Sequence, residues 1–308
     1  MSKFQEYQRF VNDHPSLQTI GNTPIVQLDL PFEIGEAQLF AKCENLNPGG
    51  SIKDRPVMTM IVHAILSGKL DKSKTILDAT SGNAGISYAM IGSMLGFNVT
   101  LVMPENASEE RKKRIISHGA NIIFTDAMLG YDESLHEVKR IYKNNPEKYF
   151  YCDQYSNENN PSAHYNSTGS ELIKQLPEIT HFVAGIGTGG TISGVGKKLK
   201  EYNPNIQIIG INPTEWPGIE GLKPLGEGHI IPETFNEEIV DQLIDIDVEE
   251  AFKISKTLAA NGFFVGQSSG AYVLGALETA KKTRNGQIAT IFNDLGERYF
   301  STNMWGLN

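Results

Sequence analysis

The chain has 308 residues, enough for two hydrophobic cores, and its 40% apolar and 20% charged residues exclude a disordered or collagen-like chain. A formal net charge of −9 argues against a nucleic-acid partner, which needs a basic footprint, but leaves anionic small molecules open. Glycine is in surplus at 30, where average usage of about 7% gives roughly 22.

The first residues, MSKFQEYQRFVNDHPSL, are charged and amphipathic and lack the apolar run of a secretory signal. Two cysteines, Cys43 and Cys152, can build neither a disulfide framework nor a four-thiolate zinc site, so a reducing, cytoplasmic setting is expected. Residues 79–104 carry no charge, yet Gly, Ser, Asn and Thr interrupt them and Gly96-Phe97-Asn98 reads as a turn. A buried helix followed by a buried strand is predicted there, and no membrane span.

From about residue 75 onward strands alternate with helices. Short β-rich runs occur at 75–80, 98–103, 121–125, 149–154, 181–186, 207–212 and 288–293. Helical patterns sit between them, HYNSTGSELIKQL and TISGVGKKLKEY among them. The strands are near-continuous apolar runs, as a parallel sheet covered on both faces requires. The fold class is therefore α/β, with two doubly wound open parallel-sheet domains, and ligands are expected at the C-terminal ends of the strands.

Four glycine-bearing loops stand out. In Asn47-Pro48-Gly49-Gly50-Ser51-Ile52-Lys53-Asp54-Arg55-Pro56, Ser51 reads as an N-cap and Asp54 as the third helical residue. Val57, Met60, Ile61, Ala64 and Ile65 supply one apolar face. Lys53 then falls in the first turn, where the helix dipole disfavours an ammonium and biases the amine toward nucleophilic use; the alternative is a solvated lysine at a helix start. Thr80-Ser81-Gly82-Asn83-Ala84-Gly85 follows a strand, and its N–H groups, hydroxyls and amide suit a carboxylate. A tight turn capped by Ser81 or Asn83 accounts for it equally well.

The third loop, Gly185-Ile186-Gly187-Thr188-Gly189-Gly190-Thr191, contains G-x-G-x-x-G. A dinucleotide site wants an acid about 20 residues on, where Asn212-Pro213 stands, so a lone phosphate fits better. The fourth, Gly266-Gln267-Ser268-Ser269-Gly270, matches a nucleophile elbow, G-x-S-x-G. The last histidine, His229, lies upstream of that serine, which defeats the usual order of a hydrolase triad.

In this order and spacing NPGGSIKDR, TSGNAG, GTGGT and SSG resemble the cysteine synthase (O-acetylserine sulfhydrylase) family of tryptophan-synthase-β-like, fold-type II pyridoxal-phosphate enzymes. The likeness runs from Ile20-Gly21-Asn22-Thr23-Pro24 to Gly296-Glu297-Arg298-Tyr299. It implies that Lys53 is catalytic, carrying pyridoxal 5′-phosphate as the internal aldimine and then removing the Cα proton. It further implies that Asn83 hydrogen-bonds the pyridine 3′-oxygen, that Gly187, Thr188, Gly189, Gly190 and Thr191 cradle the phosphate, and that Ser268 faces the pyridine nitrogen. Thr80, Ser81, Gly82, Asn83 and Gln154 would grip the substrate carboxylate. A serine at the ring nitrogen limits delocalisation into the ring and favours expulsion of a β-substituent.

The implied activity is a β-replacement that makes L-cysteine from O-acetyl-L-serine, or another activated serine, and sulfide through an aminoacrylate, with no metal. Alternatives are cystathionine formation from serine and homocysteine, an O-phosphoserine-dependent cysteine synthase, a serine/threonine dehydratase, and a non-catalytic anion-binding protein. The resemblance also implies a homodimer, and a smaller mobile domain of residues 45–155 closing over a larger one of 1–44 plus 156–308. Two departures are visible. Ala84 stands where the family usually has threonine, and Pro217-Gly218-Ile219-Glu220-Gly221-Leu222-Lys223 is unlike the commonest acetylserine-using members. Lys223 is expected either near the substrate's β-group, accepting an anionic leaving group such as phosphate, or solvated on a loop. The C-terminal Trp305 and Leu307 are expected either at a dimer contact or packed on the chain.

Overall fold

The computed structural model describes residues 2–32, 34–214, 218–225 and 230–306; Pro217, His229, Leu307 and Asn308 lie outside these. The chain opens with α1 (Lys3–Asn12), started by a reciprocal capping box between Ser2 and Gln5. Tyr7, Phe10 and Val11 of this helix, with Leu17 and Ile20, pack into the core built around α2 (Asp54–Leu66). The first twenty residues, expected with the larger unit, thus lie against the smaller sheet described next.

That sheet comes from strict alternation of β3 (Thr75–Ala79), α3 (Asn83–Leu95), β4 (Val99–Pro104), α4 (Glu109–Ser117), β5 (Asn121–Thr125), α5 (Gly130–Asn144) and β6 (Tyr149–Tyr151). Its four strands are all parallel, in the order β5-β4-β3-β6. Ile76, Val99 and Leu101 face one core while Leu77, Ala79 and Val102 face the other. This explains the near-continuous apolar runs, since both faces are covered. The uncharged stretch resolves into buried α3, ended by Gly96 in the left-handed region, and β4, as predicted. Among the described residues no helix is long and apolar enough to cross a membrane.

The larger sheet has six strands in the order β1-β2-β10-β7-β8-β9, formed by β1 (Ile25–Gln27), β2 (Gln38–Cys43), β7 (Ile179–Gly185), β8 (Gln207–Pro213), β9 (Gln242–Ile246) and β10 (Gln287–Phe292). Only β1 runs antiparallel, paired with β2. β1, β2 and β9 escape a reading of apolar runs: β1 is three residues long, β9 alternates at an edge, and β2 contains Lys42. That lysine is fully buried and is satisfied by Thr23 O, Gln175 and Glu171. The helices of this lobe are α6 (Asn159–Ala163), α7 (Gly169–Gln175), α8 (Gly190–Tyr202), α9 (Val248–Ala260) and α10 (Gln267–Lys282). Of the helix predicted over HYNSTGSELIKQL, the first five residues, His164–Thr168, form a π turn that joins α6 to α7. Trp305 is packed, stacking on Phe264 and donating from Nε1 to Gly296 O at 2.9 Å.

Strand order places the site. In the small sheet β4 and β5 lie on one side of β3 and β6 on the other; in the large sheet β8 and β9 lie on one side of β7 and β10 on the other. A crevice forms beyond the carboxyl ends of strands at such a reversal. The segments leaving β3, β6, β7 and β10 there are residues 80–83, 152–154, 186–190 and 293–294.

Candidate active site

Lys53 is brought to this junction by its own loop. Ser51 pairs with Asp294 beyond the end of β10, and Ile52 N–H donates to Asn293 O at 2.9 Å. Ser51 Oγ accepts from Lys53 N–H at 3.3 Å, within the loop, so Ser51 does not cap the helix. The helix starts instead at Asp54, with Lys53 as the capping residue and no side-chain cap. Asp54 ties the loop down by accepting from Gly49 N–H at 2.6 Å and from Ser87 Oγ at 2.5 Å. The Lys53 amine has no hydrogen-bond or ion-pair partner among the described residues, so the side chain is poised rather than structural. Burial, partly opposed by the Asp294 carboxylate, pushes its pKa down to about 8. Desolvation, rather than the helix field, is the leading cause.

Lys53 shares a narrow inner slot with Gly187, Thr188, Thr191, Ser268 and Asn293. One end is the start of α8, where Gly190 N–H donates to Thr188 Oγ1 at 3.3 Å and the next N–H groups lack intrahelical partners. Gly189 there has φ +80° and a Cβ would stand 2.6 Å from Phe235 Cα, so the loop's path requires glycine. Thr188 Oγ1 accepts from Asn160 Nδ2 at 3.0 Å, and Thr234 Oγ1 donates to Thr188 O at 2.6 Å. Gly190 is not in the slot's wall but lies against the Asn160 amide. At the start of α10, Ser268 is 6% exposed and its hydroxyl has no hydrogen bond among the described residues. A free amine, an anion-receiving helix start and a spare hydroxyl in one slot fit a phosphorylated aromatic aldehyde.

The slot opens into a cavity of 470 Å³ between the lobes, lined by Lys53, Thr80, Ser81, Asn83, Ala84 and Gln154, among others. Gly82 does not line it; a Cβ there would meet the buried Arg111 side chain. Thr80 Oγ1 accepts from Gly82 N–H and Gly85 N–H, both at 2.9 Å, which shapes the loop. Gln154 donates from Nε2 to Ala79 O at 2.8 Å. The Asn83 amide is engaged within the protein: Nδ2 donates to Asp294 Oδ2 at 2.6 Å, and Oδ1 accepts from Arg111 Nε at 3.3 Å and from Arg298.

Sequence reasoning missed Arg111 and Asp294 outright, and noted Arg298 only as the end of a matching stretch. Arg111 lies in a run that reads as a solvated helix face, yet its guanidinium is buried over the Tyr299 ring at 4.5 Å. It is paired with Glu220 and stands 3.6 Å from Asp294 Oδ2. No local spacing announces such a contact. Lys223 is not solvated: it is 8% exposed, lines the cavity, and its Nζ is 2.7 Å from Asp132 Oδ1.

Residues 16–294 match the family described as pyridoxal-phosphate dependent enzyme. A cysteine synthase of Aquifex aeolicus is 47% identical over 296 residues, covering 93% of this chain and 90% of that protein. Cysteine synthase B of Campylobacter jejuni is 42% identical over 296 residues, covering 94% and 97%. The crystal structure of a cysteine synthase from Entamoeba histolytica superposes with a TM-score of 0.87 at 34% identity, covering 96% of this chain and 91% of that one.

Proposed function

The chain belongs to the pyridoxal-phosphate-dependent enzymes, and we infer on that premise that it is a cysteine synthase forming L-cysteine from O-acetyl-L-serine and sulfide. The observation that carries this reading within the site is the desolvated Lys53 amine, without a hydrogen-bond partner among the described residues, set between a phosphate-type helix start and a carboxylate-type loop. Bound pyridoxal phosphate supplies an electron sink for the pair left when the Cα–H bond breaks. Lys53, Thr188, Thr191 and the first N–H groups of α8 would hold it, with the Ser268 hydroxyl at its ring nitrogen.

The remaining work belongs to the protein. Thr80, Ser81, Asn83 and Gln154 orient the donor by its carboxylate. A lysine whose pKa lies near 8 is neutral in a useful fraction close to neutral pH, so Lys53 Nζ accepts the Cα proton as general base. Acetate leaves Cβ with its bonding pair, sulfide adds there, and Lys53 Nζ returns the proton to Cα. At the mouth Arg111 faces Glu220 and Lys223 faces Asp132, so both cations are already neutralised. That balance favours an uncharged acetyl ester over a phosphate ester and weakens the case for Lys223 as an acceptor of phosphate.

Lys53→Ala is expected to lower sulfide-dependent cysteine formation by about 10³-fold or more and to abolish the yellow colour of the purified protein. A coloured, active variant would overturn the reading. It also includes a cytoplasmic homodimer in which a small domain, residues 45–155, closes on the donor across the two mouth ion pairs. Small-angle scattering checks this; a monomer mass, or a profile that donor leaves unchanged, counts against it.

A further inference from the structure

We propose that His164 positions the cofactor phosphate: its imidazole, neutral and protonated on Nε2, donates to Thr191 Oγ1 and so leaves the Thr191 hydroxyl hydrogen for the anion. The inference rests on reading residues 187–191 as the phosphate cradle, and deepens it. Its starting point is the π turn at His164–Thr168, which joins α6 to α7 where the sequence reads the start of a regular helix. Such turns are rare and are frequently found at functional sites.

Here the turn aims an imidazole at the back of the slot. His164 Nδ1 lies 3.0 Å from Thr168 Oγ1 and Nε2 lies 3.3 Å from Thr191 Oγ1. All three residues are buried, with His164 1% exposed. α8 comes this close because residue 194 is glycine; a Cβ there would stand 2.9 Å from His164 Cβ. Neither threonine hydroxyl has another hydrogen bond among the described residues, and Thr191 is part of the slot's wall.

A neutral imidazole has one donor and one acceptor, so only two arrangements exist. If Nε2 accepts, the single Thr191 hydrogen points backward into the protein and its oxygen lone pairs face the slot. If Nε2–H donates, Thr168 O–H donates to Nδ1, and the Thr191 hydrogen is free to face forward. A phosphate only accepts, so its presence selects the second arrangement. A doubly protonated ring is disfavoured by burial and by the nearby Lys53 and Arg55 charges, which hold His164 well below its ordinary range.

Two measurements on the full-length protein decide the matter. Long-range proton–nitrogen correlation spectra of the wild-type holoenzyme should show His164 as the Nε2–H tautomer, unchanged between about pH 6 and 8. An Nδ1–H or a charged ring overturns the proposal, and this readout needs no variant to fold. In the second, protein stripped of cofactor is titrated with pyridoxal phosphate. Thr191→Val and His164→Leu should each weaken binding about tenfold. The double variant should bind no worse than Thr191→Val alone, and His164→Gln, whose amide can donate in place of Nε2–H, should recover most of the loss. Full additivity, or undiminished affinity in His164→Leu beside a weakened Thr191→Val, overturns the relay. Undiminished affinity in Thr191→Val overturns the cradle reading itself.

Discussion

Two loops of this protein are built on one plan and wired differently. Thr80–Gly85 and Gly185–Thr191 each leave a parallel strand at a reversal of strand order and open a helix. The first is bound by charge: Asn83 is held by Asp294, Arg111 and Arg298, and Arg111 is itself paired with Glu220. The second is bound by neutral groups, with Thr188 on Asn160 and Thr234, and Thr191 on His164. On the proposed reading, the second loop keeps one anion through every turnover, and the hydrogens of its neutral donors can all be committed to it. On the same reading, the first loop meets a carboxylate that arrives and leaves, and its charged partners act on that anion strongly at low dielectric. Asn160 donates to both Gln154 O and Thr188 Oγ1, and Gln154 Nε2 donates to Ala79 O just before the first loop, so the two loops are linked through Gln154.

The largest expected effects break one loop at a time. Gly189→Ala forces a side chain against Phe235 at positive φ, so cofactor content of the purified protein should drop about tenfold or more, with a stability loss of about 1–3 kcal/mol by thermal melting. Asn83→Ala should keep its cofactor but lose about 10²-fold in kcat/KM for the donor. An Asn83→Ala protein that also emptied of cofactor would erase the contrast between the loops.

A subtler test lies under the charged loop, where Asp78 accepts from Tyr88 OH, from Ala79 N–H at 2.8 Å and from Gln154 N–H at 3.3 Å. Burial pushes its pKa up to about 7, above an ordinary carboxyl near 3.8. Between those values the native state keeps a proton that the unfolded chain has released. Wild-type stability should therefore fall, relative to Asp78→Asn, as pH rises from about 4 through 7. Melting temperatures of the pair across that window check the sign, and a gap that widens in favour of wild type would mean that Asp78 is ionised. The smallest effect is expected at the mouth. Lys223→Ala should change O-acetylserine turnover only a few-fold, while O-phosphoserine turnover falls further because Asp132 is left unpaired. Equal losses for both donors would remove Lys223 from donor choice.

The alternating architecture, seven of the ten strands among the described residues and the four glycine loops were legible in the sequence, because each rests on neighbours in the chain. The 149–154 run was overextended, since pairing stops at Tyr151 and the backbone then turns to present Gln154. β2 was hidden by a lysine whose partners lie 19 and 133 residues away. Ser51 looked like a helix cap because nothing local reveals its pairing with Asp294.

By itself the sequence determined which residue types could meet a phosphate and a carboxylate, and that an amine would lie at the start of a helix. Backbone N–H groups, hydroxyls and glycines act through local geometry, so their spacing is enough to read them. Only the tertiary structure decided how that amine is tuned, which charges hold Asn83, whether Lys223 is free, and what stands behind Thr191. Desolvation and ion pairing depend on groups brought together from distant segments, and chain order holds no record of the water that folding removes.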